Sequence, residues 1–282
     1  MNCVLCGGPR SDDFIAGLKK CAGCGLVFAG IDVRADDTKD IYKNDYFFGK
    51  CYVDYVREKK ALQLNFRNRL RELLRYVDNP KARSVFEIGS AYGFFLDLAR
   101  DKFESVSGID ITQEGCDYAK KKMGLDVACG DFLEYGLEKG KYDIFCLWDT
   151  IEHLTAPHLY IEKIGDCIRE NGLISLTTGD IESLTAKISG DKWRIIHPPE
   201  HLFYFSRRTA TALLNKYGFE VLAVNYGGNY RNLDCLFLNA QDSPLYRRLK
   251  DSPVAGIPFY LNLYDIMHVI AKKRPNTRGA AK

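Results

Sequence analysis

Between Pro80 and Lys273 the chain alternates short apolar runs with amphipathic stretches, and no other feature restricts its folds so strongly. Ser84–Ile88 reads as a strand, Ala91–Asp101 as a helix, Ser105–Ile109 as a second strand and Gln113–Met123 as a second helix. Leu125–Ala128 and Tyr142–Leu147 read as the third and fourth strands. A helix opens near Pro157, with Thr155 as its candidate cap, and closes at Asn171-Gly172, after which Leu173–Thr178 is the fifth strand. Ser206 caps a further helix that ends at Gly218; Phe219–Asn225 and Asp265–Lys272 then read as the sixth and seventh strands. Strand–helix–strand units of this kind build a largely parallel sheet with right-handed crossovers. The fold class is therefore α/β, a doubly wound sheet.

Around this core the sequence divides into units. Residues 1–30 are rich in glycine and cysteine and read as a separate knuckle-based unit; 31–80 form a polar, tyrosine-bearing connector and an N-terminal helix. In that helix Phe66, Leu70, Leu73, Leu74 and Val77 fall on one face. Its basic residues, Arg57, Lys59, Lys60, Arg67, Arg69, Arg71 and Arg75, read as a solvated outer face. Within 81–273, the stretches 179–205 and 227–258 interrupt the alternation and read as insertions; Leu236, Phe237, Leu238 and Phe259-Tyr260-Leu261 could line an apolar pocket. Residues 274–282 read as a disordered basic tail.

Cys3-x2-Cys6 and Cys21-x2-Cys24 are each followed at once by glycine, Gly7 and Gly25. Two residues between thiolates let one tight turn place both sulfurs on one metal, and two such knuckles close a tetrahedral shell with no open position for water. The expectation is a structural Zn²⁺ site. Of the ten cysteines the other six are scattered singly, as small core residues of a protein in a reducing compartment.

The glycine turn after the first core strand carries the next expectation. In Glu87-Ile88-Gly89-Ser90-Ala91-Tyr92-Gly93, Gly89 permits a tight turn and Gly93 close packing of helix on strand. The middle glycine of a full dinucleotide fingerprint is absent, which suits a nucleoside bearing an amino acid better than a pyrophosphate. Asp110 closes the second strand, where an acid accepts from a ribose diol; Asp131 and Phe132 follow the third, where a carboxylate can accept from an adenine amino group beside an aromatic ring. The fourth strand runs into Trp148-Asp149-Thr150-Ile151-Glu152-His153-Leu154 and places polar groups at the carboxyl edge of the sheet, where open α/β sheets bind ligands.

On these residues, together with Asn171–Ile174, the run from Trp193 through His197–Ser206, Tyr217–Phe219 and the closing strand, the chain resembles the class I S-adenosylmethionine (SAM)-dependent methyltransferases over roughly Asp40 to Lys273. Within them it is similar to the small-molecule branch, including sugar and secondary-metabolite tailoring enzymes with paired N-terminal Cys-x2-Cys knuckles. The resemblance implies a Rossmann-like seven-stranded sheet whose last strand is antiparallel, and SAM as cofactor. It further implies a SAM site lined by Glu87, Gly89, Ser90, Gly93, Asp110, Ile111, Asp131, Phe132 and Trp148. Ala91 departs from the commoner glycine.

Methyl transfer to a hydroxyl needs a group to take its proton, and histidine is suited to that near neutral pH. Of the five histidines, His153 past the fourth strand and His201 among the aromatics of the long insertion are the candidates. Tyr46, Tyr52 and Tyr55 could close over the cofactor. The expected acceptor is a small molecule, with a sugar nucleotide leading and quinone-like or lipid acceptors open. An RNA methyltransferase gripping RNA through the zinc unit is the rival; 40 basic against 37 acidic residues give it no bulk electrostatic support. An NAD-dependent oxidoreductase would want the full glycine fingerprint. With no apolar stretch of membrane-spanning length and no leader pattern in Met1–Gly30, a cytoplasmic protein is expected; the oligomeric state is not legible.

Overall fold

Three short strands, β1 (Ser11–Asp13), β2 (Leu18–Cys21) and β3 (Val27–Ala29), precede helix α1 (Lys59–Leu73) in the computed structural model of the chain, which describes residues 2–31, 55–233, 252 and 254–275. The core then runs β4 (Ser84–Ile88), α2 (Phe94–Ala99), β5 (Ser105–Asp110), α3 (Gln113–Met123), β6 (Asp126–Cys129), β7 (Tyr142–Trp148), α4 (Pro157–Cys167) and β8 (Ile168–Gly179). It is completed by α5 (Leu184–Ser189), β9 (Phe203–Tyr204), α6 (Arg207–Lys216), β10 (Phe219–Tyr226), β11 (Asn229–Asn232), β12 (Pro258–Leu261) and β13 (Ile266–Lys273).

Seven strands form one sheet in the order β10-β13-β8-β7-β4-β5-β6. β4 pairs in parallel with β5 and β7, β5 with β6 and β7 with β8, whereas β13 runs antiparallel to both β8 and β10. This is the Rossmann-like arrangement expected, with the antiparallel last strand inserted between β8 and β10. Side chains on successive positions point to opposite faces. On β7, Ile144, Cys146 and Trp148 therefore pack with the apolar faces of α1, α2 and α3, and Phe145 and Leu147 with those of α4 and α6. Cys116, Cys146 and Cys167 are buried as small core residues, but Cys129 is exposed at the end of the edge strand β6.

Several expected boundaries move. α2 begins only at Phe94, because Gly93 stands at its N-cap in the left-handed region. Thr155 does not cap α4; Ala156 holds that position and no side chain bonds to the free amides. The same helix ends at Cys167 rather than at Asn171-Gly172: Tyr142 pairs with Ile168 and Ile144 with Leu173, so 169–172 loop out of a strand that has already begun. Asn171 takes φ +62° there, and Arg169 holds the loop by donating to Gly140 O and Asp143 Oδ2. Ser206 does cap α6, with Thr209 completing a reciprocal capping box.

Two smaller sheets were not legible as strands. β3 pairs with β9, so the hairpins bearing the four cysteines continue into the segment after α5 as one four-stranded antiparallel sheet. β11 pairs with β12 beside α1, where Asn65 donates to Tyr230 O at 2.9 Å and accepts from its N–H. Leu236, Phe237, Leu238, Tyr46, Tyr52, the connector over 32–50 and the tail over 276–282 lie outside the described residues. Among those described, no helix is long and apolar enough to cross a membrane.

Candidate functional site

The carboxyl ends of β4, β5, β6 and β7 open onto a cavity of about 950 Å³. At the end of β4, Gly89 takes φ +76° and its N–H donates to Ile109 O at 2.9 Å. A Cβ there would lie 2.6 Å from Thr150 Oγ1, so only glycine makes this turn without displacing the loop after β7. At Gly93 a Cβ would meet Leu125 Cδ1 at 2.5 Å and Ala119 Cβ at 3.2 Å, so the close approach is to α3 and the turn after it rather than of helix on strand as the sequence suggests.

The turn is held by Asp110, the last residue of β5. Its Oδ2 accepts from Ala91 N–H at 2.7 Å and its Oδ1 from Thr112 N–H and Oγ1 at 2.8 and 2.5 Å. A carboxylate offers about four acceptor positions, so Oδ2 keeps one for a further hydroxyl. Burial raises the Asp110 pKa in spite of these three bonds, and burial with the neighbouring Asp110 raises Glu87 well above the usual carboxylate range. Glu87 Oε2, Ser90 Oγ and Trp148 Nε1 are buried without a hydrogen-bond partner. Further along, Asp131 Oδ1 accepts from Leu133 N–H at 2.8 Å and from the Tyr160 hydroxyl at 2.6 Å, and Phe132 stacks on the Tyr160 ring with centroids 5.7 Å apart.

Gly89, Asp110, Ile111, Asp131, Phe132, Trp148, His153 and His201 all line this one cavity; Glu87, Ser90 and Gly93 stand behind its wall. Tyr55 lines it too, its ring stacked on Phe94 with centroids 5.3 Å apart.

The residue sequence reasoning missed is Arg69. Rather than joining the solvated face of α1, its side chain is 10% exposed, lies over the Phe66 and Trp148 rings and donates to Asp149 Oδ2 at 2.6 Å. Burial alone would raise Asp149; the Arg69 charge and the Thr177 hydroxyl, at 2.8 Å from Oδ1, outweigh it and hold the carboxyl below its ordinary value. The available signal is the position of Arg69, three residues after buried Phe66 and one before buried Leu70, on the flank of the apolar stripe.

The histidine end is framed by backbone. His153 Nδ1 donates to Glu200 O at 2.8 Å and His201 Nδ1 to Ile195 O at 2.7 Å, with ring centroids 4.5 Å apart and planes at 83°. Leu202 N–H donates to Glu152 O at 2.8 Å, tying the insertion to the loop after β7. Burial lowers His153 to about 4, and burial with the adjacent His153 lowers His201 to about 3. His268, in contact with Trp148 and bonded to Ser175 Oγ at 2.8 Å, is lowered by burial to about 3. All three depend on the neutral form, so acid must fall well below the usual histidine range, near 6.5, before they charge. The expected result of following side-chain ¹⁵N shifts from pH 8 to 5 is that these three stay neutral; titration of any of them near 6.5 would contradict the burial that holds it.

The knuckle sulfurs of Cys3, Cys6, Cys21 and Cys24 lie within 4.8 Å of one another, with Cys3–Cys24 at 3.4 Å and Cys6–Cys21 at 3.5 Å. Tetrahedral thiolates at about 2.3 Å from an ion sit about 3.8 Å apart, so this set fits Zn²⁺. Gly7 and Gly25 both take left-handed φ, +74° and +76°, directly after the second sulfur of each pair.

A doubly wound sheet with an antiparallel last strand and a glycine turn over an acidic strand end, both opening onto one cavity, defines a SAM-dependent methyltransferase. The family model described as "Methyltransferase domain" matches residues 57–224, and the chain belongs to that family. Solved structures share the fold. A SAM-dependent methyltransferase from Archaeoglobus fulgidus is 19% identical, covering 78% of this chain and 99% of its own, with a TM-score of 0.54. A protein from Bacillus halodurans, described as a putative methyltransferase, is 11% identical, covering 73% and 99%, with a TM-score of 0.55. One from Thermotoga maritima, described as a possible histamine N-methyltransferase, is 18% identical, covering 78% and 95%, with a TM-score of 0.52. Against the curated proteins no significant match is found.

Proposed function

We propose that the chain methylates a small-molecule acceptor, a sugar nucleotide or related metabolite being the leading class, and that the N-terminal knuckle holds a structural Zn²⁺. The observation that carries this reading is the continuity of one cavity from Gly89, Asp110 and Asp131 at one end to His153 and His201 at the other.

Bound SAM supplies an electrophilic methyl group on sulfur. Asp110 Oδ2 would take a ribose hydroxyl, Ile111 and Phe132 would flank the base, and Asp131 would accept from its amino group. The unpartnered Trp148 Nε1, with the unpartnered Glu87 and Ser90 atoms behind it, marks the wall against which the amino-acid moiety would settle. Displacement at a methyl carbon is in line, so the protein's work is to position both partners and to exclude water. Arg69, pinned between Trp148 and Asp149, closes the side of the cavity nearest the acceptor. His153 and His201 handle the acceptor proton. Lys192 and Arg194 on the rim suit an anionic group such as a phosphate.

A second reading, a quinone-like or lipid acceptor, is favoured by the apolar lining that Phe259, Leu261 and Leu263 give the same end. Calorimetric titration with S-adenosylhomocysteine, with NAD in parallel, tests the foundation common to both. Micromolar binding of the former alone is expected. NAD binding instead, or neither, would sink the reading, and acceptor screening then separates anionic from apolar classes.

A further inference from the structure

We propose that Glu152, His153 and His201 form a second metal site, separate from the cysteine knuckle, which takes a divalent transition-metal ion on the acceptor side of the cavity. One donor atom from each of the three lies within 4.8 Å of the other two, and all three residues line the cavity.

The geometry is that of ligands set in advance. Each imidazole donates its Nδ1–H to a backbone carbonyl, His153 to Glu200 and His201 to Ile195. That bond fixes the ring and puts the lone pair on Nε2, which is how metal-binding histidines are oriented. The carbonyls come from the insertion after β8, whose own backbone is bound to Glu152 through Leu202 N–H. Glu152 is 4% exposed, yet its Oε2 has no hydrogen-bond partner. A buried carboxylate oxygen without a partner is costly, and a cation at this point satisfies it. Asp149, the other acid beside it, is already taken by Arg69 and Thr177.

Two imidazoles and one carboxylate suit ions of the manganese-to-zinc series; magnesium prefers an all-oxygen shell. Three protein ligands leave coordination positions open toward the cavity, where an acceptor hydroxyl would bind. The ion lowers the hydroxyl pKa, as it does for bound water. The proton leaves to solvent through the cavity mouth. The resulting oxygen anion forms a bond to the methyl carbon, the carbon–sulfur bond breaks, and its electron pair stays on sulfur, giving the methyl ether and the neutral thioether. The histidines then handle the acceptor proton by holding the ion rather than by taking the proton themselves. This chemistry rests on the methyl-transfer reading; the binding of the ion does not.

The test uses the full purified chain and Mn²⁺, which has little affinity for a four-thiolate knuckle. Loss of the free Mn²⁺ paramagnetic resonance signal is followed with and without S-adenosylhomocysteine, in the wild type and in His201→Ala and Glu152→Gln. The expected result is one bound Mn²⁺ per chain, weakened on the order of tenfold or more in each variant, with S-adenosylhomocysteine affinity retained in both. Zn²⁺ in one further equivalent beyond the knuckle should displace it. The proposal is overturned if the wild type binds no Mn²⁺ while it binds S-adenosylhomocysteine, which leaves direct proton removal by imidazole. It is equally overturned if both variants, folded by circular dichroism, bind Mn²⁺ as the wild type does. Failure of S-adenosylhomocysteine to bind refutes the parent reading instead, whatever Mn²⁺ does.

Discussion

Asp110→Ala is expected to weaken S-adenosylhomocysteine binding by about tenfold to a hundredfold. A hydrogen bond to a charged group contributes about 1.5–3 kcal/mol, and about 1.4 kcal/mol is a factor of ten. The loss has a second source. Ala91 N–H and both Thr112 donors end on this carboxylate, so removing it also loosens the turn that shapes the nucleotide end. Asp110→Asn separates the two contributions: it keeps an acceptor oxygen while discarding the charge, and should fall between wild type and alanine. Calorimetry on both variants, with thermal melts to establish that they fold, is the measurement. An unchanged dissociation constant in Asp110→Ala would remove the ribose assignment.

The second large effect is expected far from the cofactor. Cys21→Ser should release the knuckle metal, measured by mass spectrometry of the desalted protein, and should lower turnover on the order of a hundredfold, the scale of a displacement of about 1 Å at a reacting centre. The path is short. Cys21 ends β2 and Leu26 leads into β3; Val27 and Phe28 pair with Tyr204 and Phe203; Ala29 N–H donates to Leu202 O, and Leu202 N–H to Glu152 O. Arg208 Nη1 donates to Cys24 O at 2.6 Å and Lys216 Nζ to Leu5 O at 2.7 Å, so α6 clasps the knuckle as well. S-adenosylhomocysteine affinity should change little, because the hydrogen bonds that hold Gly89 and Asp110 run to Ile109, Ala91 and Thr112 and none of them to the knuckle. Full retention of metal in Cys21→Ser would contradict the four-cysteine site. Full metal loss with unaltered turnover would show that the knuckle does not brace His201.

The central strands were legible because they are buried on both faces and so read as unbroken apolar runs: Val85 and Phe86 on β4, Ile144 to Leu147 on β7. The glycine turn and Asp110 were legible because a tight strand-to-helix turn admits few residue types. What the residues did not announce was set by pairing over distance. β9, β11 and β12 span two to four residues, too few for any period to register, and exist because β3 and α1 offer them partners. Asn171-Gly172 carries a helix-stop signature, yet the competing signal, Ile168 buried at 2% beside Tyr142, had already started the strand. Arg69 failed for a related reason: the helical period fixes which flank it occupies, but not that an acid and an indole wait there.

The sheet shared by β3 and β9 also sets an order on assembly. Arg208 and Cys24 lie 184 positions apart and Lys216 and Leu5 lie 211 apart, so the contacts that seat the knuckle are among the most non-local in the chain. During synthesis the four cysteines leave the ribosome long before residues 203–216 exist. Until then β3 is an unpaired edge, open to mispairing with any extended segment that passes. Closing a loop of that length is slow and comes late. The acceptor side of the cavity is therefore completed last, after the nucleotide end already has its form, and a nascent chain could hold SAM before it is able to use it.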